Sequence, residues 1–271
     1  MTAAVTTNFE ALSPFARAVL EHNPGRFHAA LWAPAERRAG LFAVYALDAE
    51  LSRQMARAAE PALVEIRLRW WAEAFETLKP GSLRGVPLLD TLARMDRERP
   101  GLARMLLEVC EACELDIPET PADPEPAPEA RDRAGQAAGR PAPASFEARQ
   151  ARARAVGRAA AFWLGAQRDD LLEAAGAADS AWALAVAACQ TDSDSRSALI
   201  EAARTCVVQA RRVRPGVARA WRAPFLLATR AALLLRHPDT QGAGASAGPD
   251  RGPGARPPVL RLLWATLSGL Y

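Results

Sequence analysis

Lysine is nearly missing from this chain. Lys79 is the single lysine among 34 basic residues, so its positive charge is carried almost wholly by arginine. Alongside abundant alanine, this reads first as a coding bias and only second as a functional choice. Cysteine is also sparse. Four in 271 residues make no disulfide framework, which points to a reducing compartment. Long apolar runs are missing as well: none reaches 18 residues, so no transmembrane segment is expected. The first ten residues hold no basic stretch followed by an apolar one, which argues against a secretory signal. No P-loop, no G-x-S-x-G elbow and no G-x-G-x-x-G is present, so nucleotide and acyl chemistry lack their usual marks. Strand signals scarcely occur.

What is there is helical. Hydrophobic residues make up 50% and charged residues 24%, a globular composition. The net charge of +3 and a sequence pI near 8.9 suit contact with an anionic surface but fall short of a nucleic-acid footprint. Ser13-Pro14 reads as N-cap and first helical residue, with a stop near Asn23-Pro24-Gly25. A second helix opens at Ala33-Pro34 and stacks Leu47, Leu51 and Met55 on one face. The third starts at Pro61. Its apolar stripe is Leu63, Ile66, Trp70, Trp71, Phe75 and Leu78, with Glu65 and Arg69 paired on the outside. Further helices are expected over 86–97, 102–114, 145–172, 180–189, 195–212, 217–236 and 258–270, with flexible loops at 117–144 and 237–257. One domain spanning 1–271 is the resulting expectation.

The candidate chemistry is thin. Cys110 and Cys113 form one Cys-x-x-Cys without a second ligand pair, and buried inert thiols are expected. His22, His28 and His237 lie near no evident catalytic constellation. Asp169, Asp170 and Glu173 are the most tempting acidic cluster, placed beside a turn at Ala175-Gly176-Ala177; solvated charge near a helix end is the favoured reading. Asp192 and Asp194 read first as N-cap material for a helix opening near Ser195. Arginines 204, 211, 212, 214, 219 and 222 form a basic stretch, by default a solvated face and otherwise a dock for anionic lipid.

A family comes into view over residues 27–78. Phe27-His28-Ala29-Ala30-Leu31-Trp32, Leu41-Phe42-Ala43-Val44-Tyr45-Ala46-Leu47-Asp48, and Glu65-Ile66-Arg67-Leu68-Arg69-Trp70-Trp71 resemble the squalene/phytoene synthase family. The last segment is similar to a divergent branch that includes an assembly factor of respiratory complex I. The resemblance implies an all-α, isoprenoid-synthase-like bundle and, in the active enzymes, two aspartate-rich motifs holding magnesium against prenyl diphosphates. Here the first motif falls on Ser52-Arg53-Gln54-Met55-Ala56, without a carboxylate, and the second near 190–194, where Asp194 remains. Alanine and arginine do not ligate magnesium. The resemblance thus implies a pseudoenzyme of cytoplasmic, bacterial type, peripheral to the inner membrane, with no metal and no catalytic residue. A protein partner at that membrane, or an isoprenoid or lipid ligand, is the expected partner. The remnant cavity is expected at Tyr45, Asp48, Arg53, Arg67 and Asp194. Tyr45, Trp70 and Trp71 are assigned to the core, and Glu65 and Arg67 to a buried pair. The alternatives are a magnesium-dependent prenyltransferase with its site moved to Asp169, Asp170 and Glu173, and a peripheral anionic-lipid-binding protein.

Overall fold

The structure is a computed structural model and describes residues 12–57, 60–78, 85–117, 145–191, 193–213 and 221–236, the side chains of 193 and 194 excepted. The expected segments 118–144 and 237–271 lie outside the described residues, as do Arg214, Arg219, Asp192 and His237. All ten elements among the described residues are helices: α1 (Pro14–His22), α2 (Pro24–Ala30), α3 (Ala35–Arg57), α4 (Pro61–Glu76), α5 (Pro87–Glu98), α6 (Leu102–Glu114), α7 (Phe146–Leu164), α8 (Asp169–Gln190), α9 (Ser193–Arg211) and α10 (Arg222–Leu234).

Local signals explain most boundaries. Ser13 and Ser145 accept hydrogen bonds from the amides of Ala16 and Ala148, so two helices begin where a hydroxyl satisfies an orphan donor. Asn23 ends α1 and also caps α2, accepting from Arg26 N at 3.1 Å. The Pro24-Gly25 pair, read as a stop, is therefore also a start. Proline at a helix's first position loses nothing, because its missing N–H had no partner there. Gly165 terminates α7 in the left-handed region (φ 118). That splits the expected 145–172 helix in two, since only glycine enters this conformation without a Cβ penalty. Conversely, Ala175-Gly176-Ala177 is no turn but the interior of α8.

The centre of the bundle is built from α3, α7 and α8. Along α3, residues 40–49 are buried without a break, so this helix is wrapped on all sides and shows no single apolar stripe. Helix α8 packs on α7, α9 and α10. By length and composition it is apolar enough to cross a membrane, with a mean hydropathy of 1.3 in its best window, but 78% of that window is buried inside the protein. The crossing of α7 and α8 is close because glycine stands on both sides. A Cβ at Gly157 would lie 2.5 Å from the Ala175 carbonyl oxygen, and one at Gly176 would lie 2.9 Å from the Arg154 carbonyl oxygen.

Helix α4 corrects the expected stripe. Val64, Leu68, Trp71, Ala74 and Phe75 are buried, whereas Leu63, Ile66 and Trp70 are 43%, 64% and 37% exposed. The helix packs on α6 and α3 along one side only, and the tertiary arrangement chose that side. Tyr45 and Trp71 hold the core as expected, while Trp70 sits edge-on to Trp71 with ring centroids 5.2 Å apart.

Candidate functional site

The chemistry-bearing side chains converge inside the bundle rather than on its surface. Gly25 lets α2 lie against the indole of Trp182, 2.3 Å from where a Cβ would stand. Trp182 Nε1 in turn donates to Asn23 Oδ1 at 2.9 Å. This seating brings Arg26 into the interior, where it is 3% exposed. Its Nε donates to Asp179 Oδ1 and Oδ2 at 3.0 and 3.1 Å, and its Nη1 donates to Asp48 Oδ2. Asp179, on α8, is fully buried and Asp48, on α3, is 4% exposed.

Arg152, on α7, closes the network. Its Nε donates to Asp48 Oδ1 at 2.6 Å, its Nη2 to the Asp48 carbonyl at 2.7 Å and to Ser52 Oγ. Two guanidiniums and two carboxylates thus neutralise one another across four helices, which is the condition for burying charge at tolerable cost. Arg26 also lies over the Tyr45 ring, 5.5 Å from its centroid. The Tyr45 hydroxyl is buried without a hydrogen-bond partner, and burial pushes its pKa up.

The two carboxylates are not equivalent. Burial alone would raise Asp48, but Arg152, Arg26 and His22 overcome it and hold the carboxyl well below the usual range. At Asp179 burial wins over Arg26, and the carboxyl is pushed up to about 6. For Arg26, burial works against the charge, yet Asp179 and Asp48 raise it above an ordinary arginine. The rise at Asp179 and the rise at Arg26 pull the pair's balance in opposite senses. The forked hydrogen bonds require a carboxylate, so the pair is ionised at neutral pH and burial accounts for the upward direction at Asp179.

His22 brings an unexpected neighbourhood, against the expectation of none. Its Nε2 lies 3.3 Å from Asp48 Oδ2 and 3.2 Å from Ser52 Oγ. Serine, histidine and aspartate together suggest a relay, but both contacts fall on the same ring nitrogen, whereas a relay needs one partner at each. Ser52 Oγ also donates to the Asp48 carbonyl at 2.8 Å. No activated nucleophile results.

The magnesium that the resemblance implies does not fit these residues. Of the motif positions, Ser52 is engaged by Arg152, Arg53 pairs with Glu50, and Gln54 accepts from Trp71 Nε1 at 3.2 Å. Both oxygens of the nearest carboxylate, Asp48, are taken by guanidiniums. A divalent cation placed there would face two fixed positive charges within contact distance. Among the described residues no three of His, Cys, Asp and Glu gather as a metal site. Asp194 lies in the first turn of α9, which opens at Ser193, but its side chain lies outside the described ones.

The five expected cavity residues therefore do not share one cavity. Tyr45 and Asp48 face the interior network, while Arg53 is on the exposed side of α3. Arg67 belongs to an open surface groove of about 530 Å³ with Glu50, Gln54, Arg57, Ile66, Trp70 and Trp71. Arg67 Nη1 donates to the Gln54 carbonyl at 3.2 Å, and Glu65 is exposed, so the expected Glu65–Arg67 pair does not form. Asp169 and Asp170 occupy the exposed first turn of α8, Asp170 paired with Arg168. Glu173 lies one turn on, 3.6 Å from Arg154 and 3.3 Å from Arg158. Its partners are cations, so this trio is not a metal cradle. Cys110 and Cys113 are buried free thiols, and burial pushes Cys113 up to about 12. Arg204, Arg211 and Arg212 are exposed along the end of α9.

Arg26, Arg152 and Asp179 escaped the sequence reading. Separations of 153 and 104 residues leave no periodic or motif signal. The one available hint was an aspartate within the alanine-rich stretch 174–188 of α8. No match to a curated protein or to a solved structure accompanies the chain. Residues 20–127, from the end of α1 past α6, match the family model of squalene/phytoene synthase.

Proposed function

We propose that this chain is a non-catalytic squalene/phytoene-synthase-like protein that acts as an interaction or assembly factor. The observation that carries the reading is Asp48. It is the carboxylate nearest the first motif, and Arg26 and Arg152 occupy both of its oxygens. Prenyl diphosphate ionisation needs divalent metal to neutralise the leaving group, and a site already closed by its own arginines supplies none. What the scaffold offers instead is surface. The outward side of α4, with Leu63 and Ile66 exposed beside the Arg67 groove, suits an apolar contact with a protein partner or with lipid at the inner membrane. Similarity of residues 65–71 to the branch containing a complex I assembly factor supports the same role, in a cytoplasmic protein peripheral to that membrane.

The test is direct. Purified full-length chain is incubated with farnesyl or geranylgeranyl diphosphate and magnesium, and diphosphate release and lipid products are followed by mass spectrometry. No release above the protein-free blank, from protein with intact helical circular dichroism, is the expected result. Turnover abolished by alanine at Asp169, Asp170 and Glu173 would overturn the reading in favour of a relocated prenyltransferase site.

A further inference from the structure

The open groove of about 530 Å³ between α3 and α4 is walled by side chains of unlike chemistry. Its apolar part is aromatic and fixed. Trp71 is 2% exposed and donates Nε1 to Gln54 Oε1 at 3.2 Å, while Gln54 Nε2 donates to Glu50 Oε1 at 2.9 Å. Trp70 stands edge-on to Trp71 and, like Ile66 and Leu63, stays exposed. These three exposed residues are three and four positions apart on α4. They form one line two turns long, about 10 Å at the helical rise.

The charged part of the groove is basic. Glu50 is its single carboxylate, and Arg53 and Gln54 already engage it. Arg57 and Arg67 line the same groove, and neither meets a carboxylate within ion-pair distance among the described residues. Arg67 is half-buried, and Nη1, which donates to the Gln54 carbonyl at 3.2 Å, is the only one of its guanidinium nitrogens with a hydrogen-bond partner among those residues. Its remaining donors are available to an acceptor from outside. Each guanidinium alone is ordinary surface charge. Two of them beside a tryptophan and an exposed apolar line have the composition of a protein–protein contact, which is enriched in aromatic residues and arginine.

We propose that this groove docks an acidic amphipathic helix of a protein partner, with the partner's apolar side chains along Leu63, Ile66 and Trp70 and its carboxylates on Arg57 and Arg67. Apolar anchors at i, i+3, i+4 and i+7 of a helix match a line of this length. The wall held by Trp71 and Gln54 is already ordered, which lowers the cost of binding. A bilayer fits this face less well. It would cover the whole outward side of α4, where exposed Glu65, Glu73 and Glu76 outnumber exposed Arg69 and repel anionic lipid. A single helix touches only the groove and its apolar line. The inference rests on the assembly-factor reading for the existence of a partner and adds that partner's chemistry.

The full chain is titrated by fluorescence anisotropy into a labelled peptide of about 18 residues, long enough to form a helix, with leucine at i, i+3, i+4 and i+7 and glutamate on the other side. Two control peptides carry lysine for every glutamate, or the same residues scrambled so that the leucines share no face. Saturable binding of the acidic peptide alone is expected. Arg67→Gln should weaken it about tenfold, the worth of a charged hydrogen bond, and Arg57→Gln about two- to fivefold, the worth of an exposed ion pair. Ile66→Ser should also weaken it. Arg57→Glu, at an exposed position, should move preference toward the lysine peptide, a gain that misfolding does not produce. Helical circular dichroism checks the fold of each variant. No saturable binding of the acidic peptide, equal binding of the lysine peptide, or indifference to all these substitutions would overturn the site. So would sedimentation with phosphatidylcholine–phosphatidylglycerol vesicles that Ile66→Ser abolishes, because it places a bilayer on this face. Turnover of a prenyl diphosphate would sink the non-catalytic reading alone; absent peptide binding in a protein without turnover sinks only the docking site.

Discussion

Replacing Asp48 by asparagine should be the most damaging single-atom-scale change in this protein. The side chain keeps its size, so packing is conserved and only charge is altered. Wild-type Asp48 answers Arg26, Arg152 and His22 at once. In the variant, Arg152 retains the residue-48 carbonyl and Ser52 Oγ, and Arg26 retains Asp179, but the nearest carboxylate left to Arg152 is Asp116 at 4.0 Å. Removing one partner of a buried ion pair costs about 3–5 kcal/mol, and the surviving backbone bond at Arg152 argues for the lower end. With a urea m-value of about 2–3 kcal/mol per molar, the midpoint should fall by about 1–2 M at pH 7. The pH dependence has a definite sign. The folded pKa of Asp48 lies well below the ordinary 3.8 of an aspartate, so its contribution is fully present above that value. It is lost as pH falls toward the folded pKa, and wild type and variant should converge there. A double-mutant cycle with Arg152→Met should return a coupling of about 1 kcal/mol or more. A variant within about 0.5 kcal/mol of wild type at pH 7, with no convergence in acid, would refute the claim that this network closes the bundle.

Asp179→Asn should behave differently. Its folded pKa is raised to about 6 from 3.8, so the folded protein holds a proton that the unfolded chain releases, and its contribution fades as pH rises between those values. Urea midpoints should therefore show wild type losing ground to the variant from about pH 4 to about pH 6, then running parallel; an opposite slope would sink the assignment. Gly157→Ala forces a Cβ to within 2.5 Å of the Ala175 carbonyl oxygen, where backbone must move, and should cost about 1–3 kcal/mol or more by thermal unfolding. An unchanged melting temperature would mean that α7 and α8 slide apart without penalty.

Most helix boundaries were legible because their causes are local. Ser13, Ser145 and the prolines at 14 and 61 act within one turn, and Gly101 enters positive φ where the chain must turn. The absence of carboxylates at 52–56 was legible for the same reason. The errors arose where a local cue was overruled. Ala175-Gly176-Ala177 looks like a turn, yet the Gly176–Gly157 crossing needs those small residues inside a helix. Leu63, Ile66 and Trp70 look like core, yet α4 has neighbours on one side only.

The sequence by itself determined that the chain is helical, where most helices begin, and that residues 52–56 carry no carboxylate, because capping, periodicity and residue identity are properties of neighbouring positions. Only the tertiary structure decided which charges meet beside them. Arg26, Asp48, Arg152 and Asp179 come from four helices and meet because glycine-lined crossings bring α2, α3, α7 and α8 together. The reason is physical: a buried charge takes whichever opposite charge packing brings within reach, and no local pattern encodes that partner.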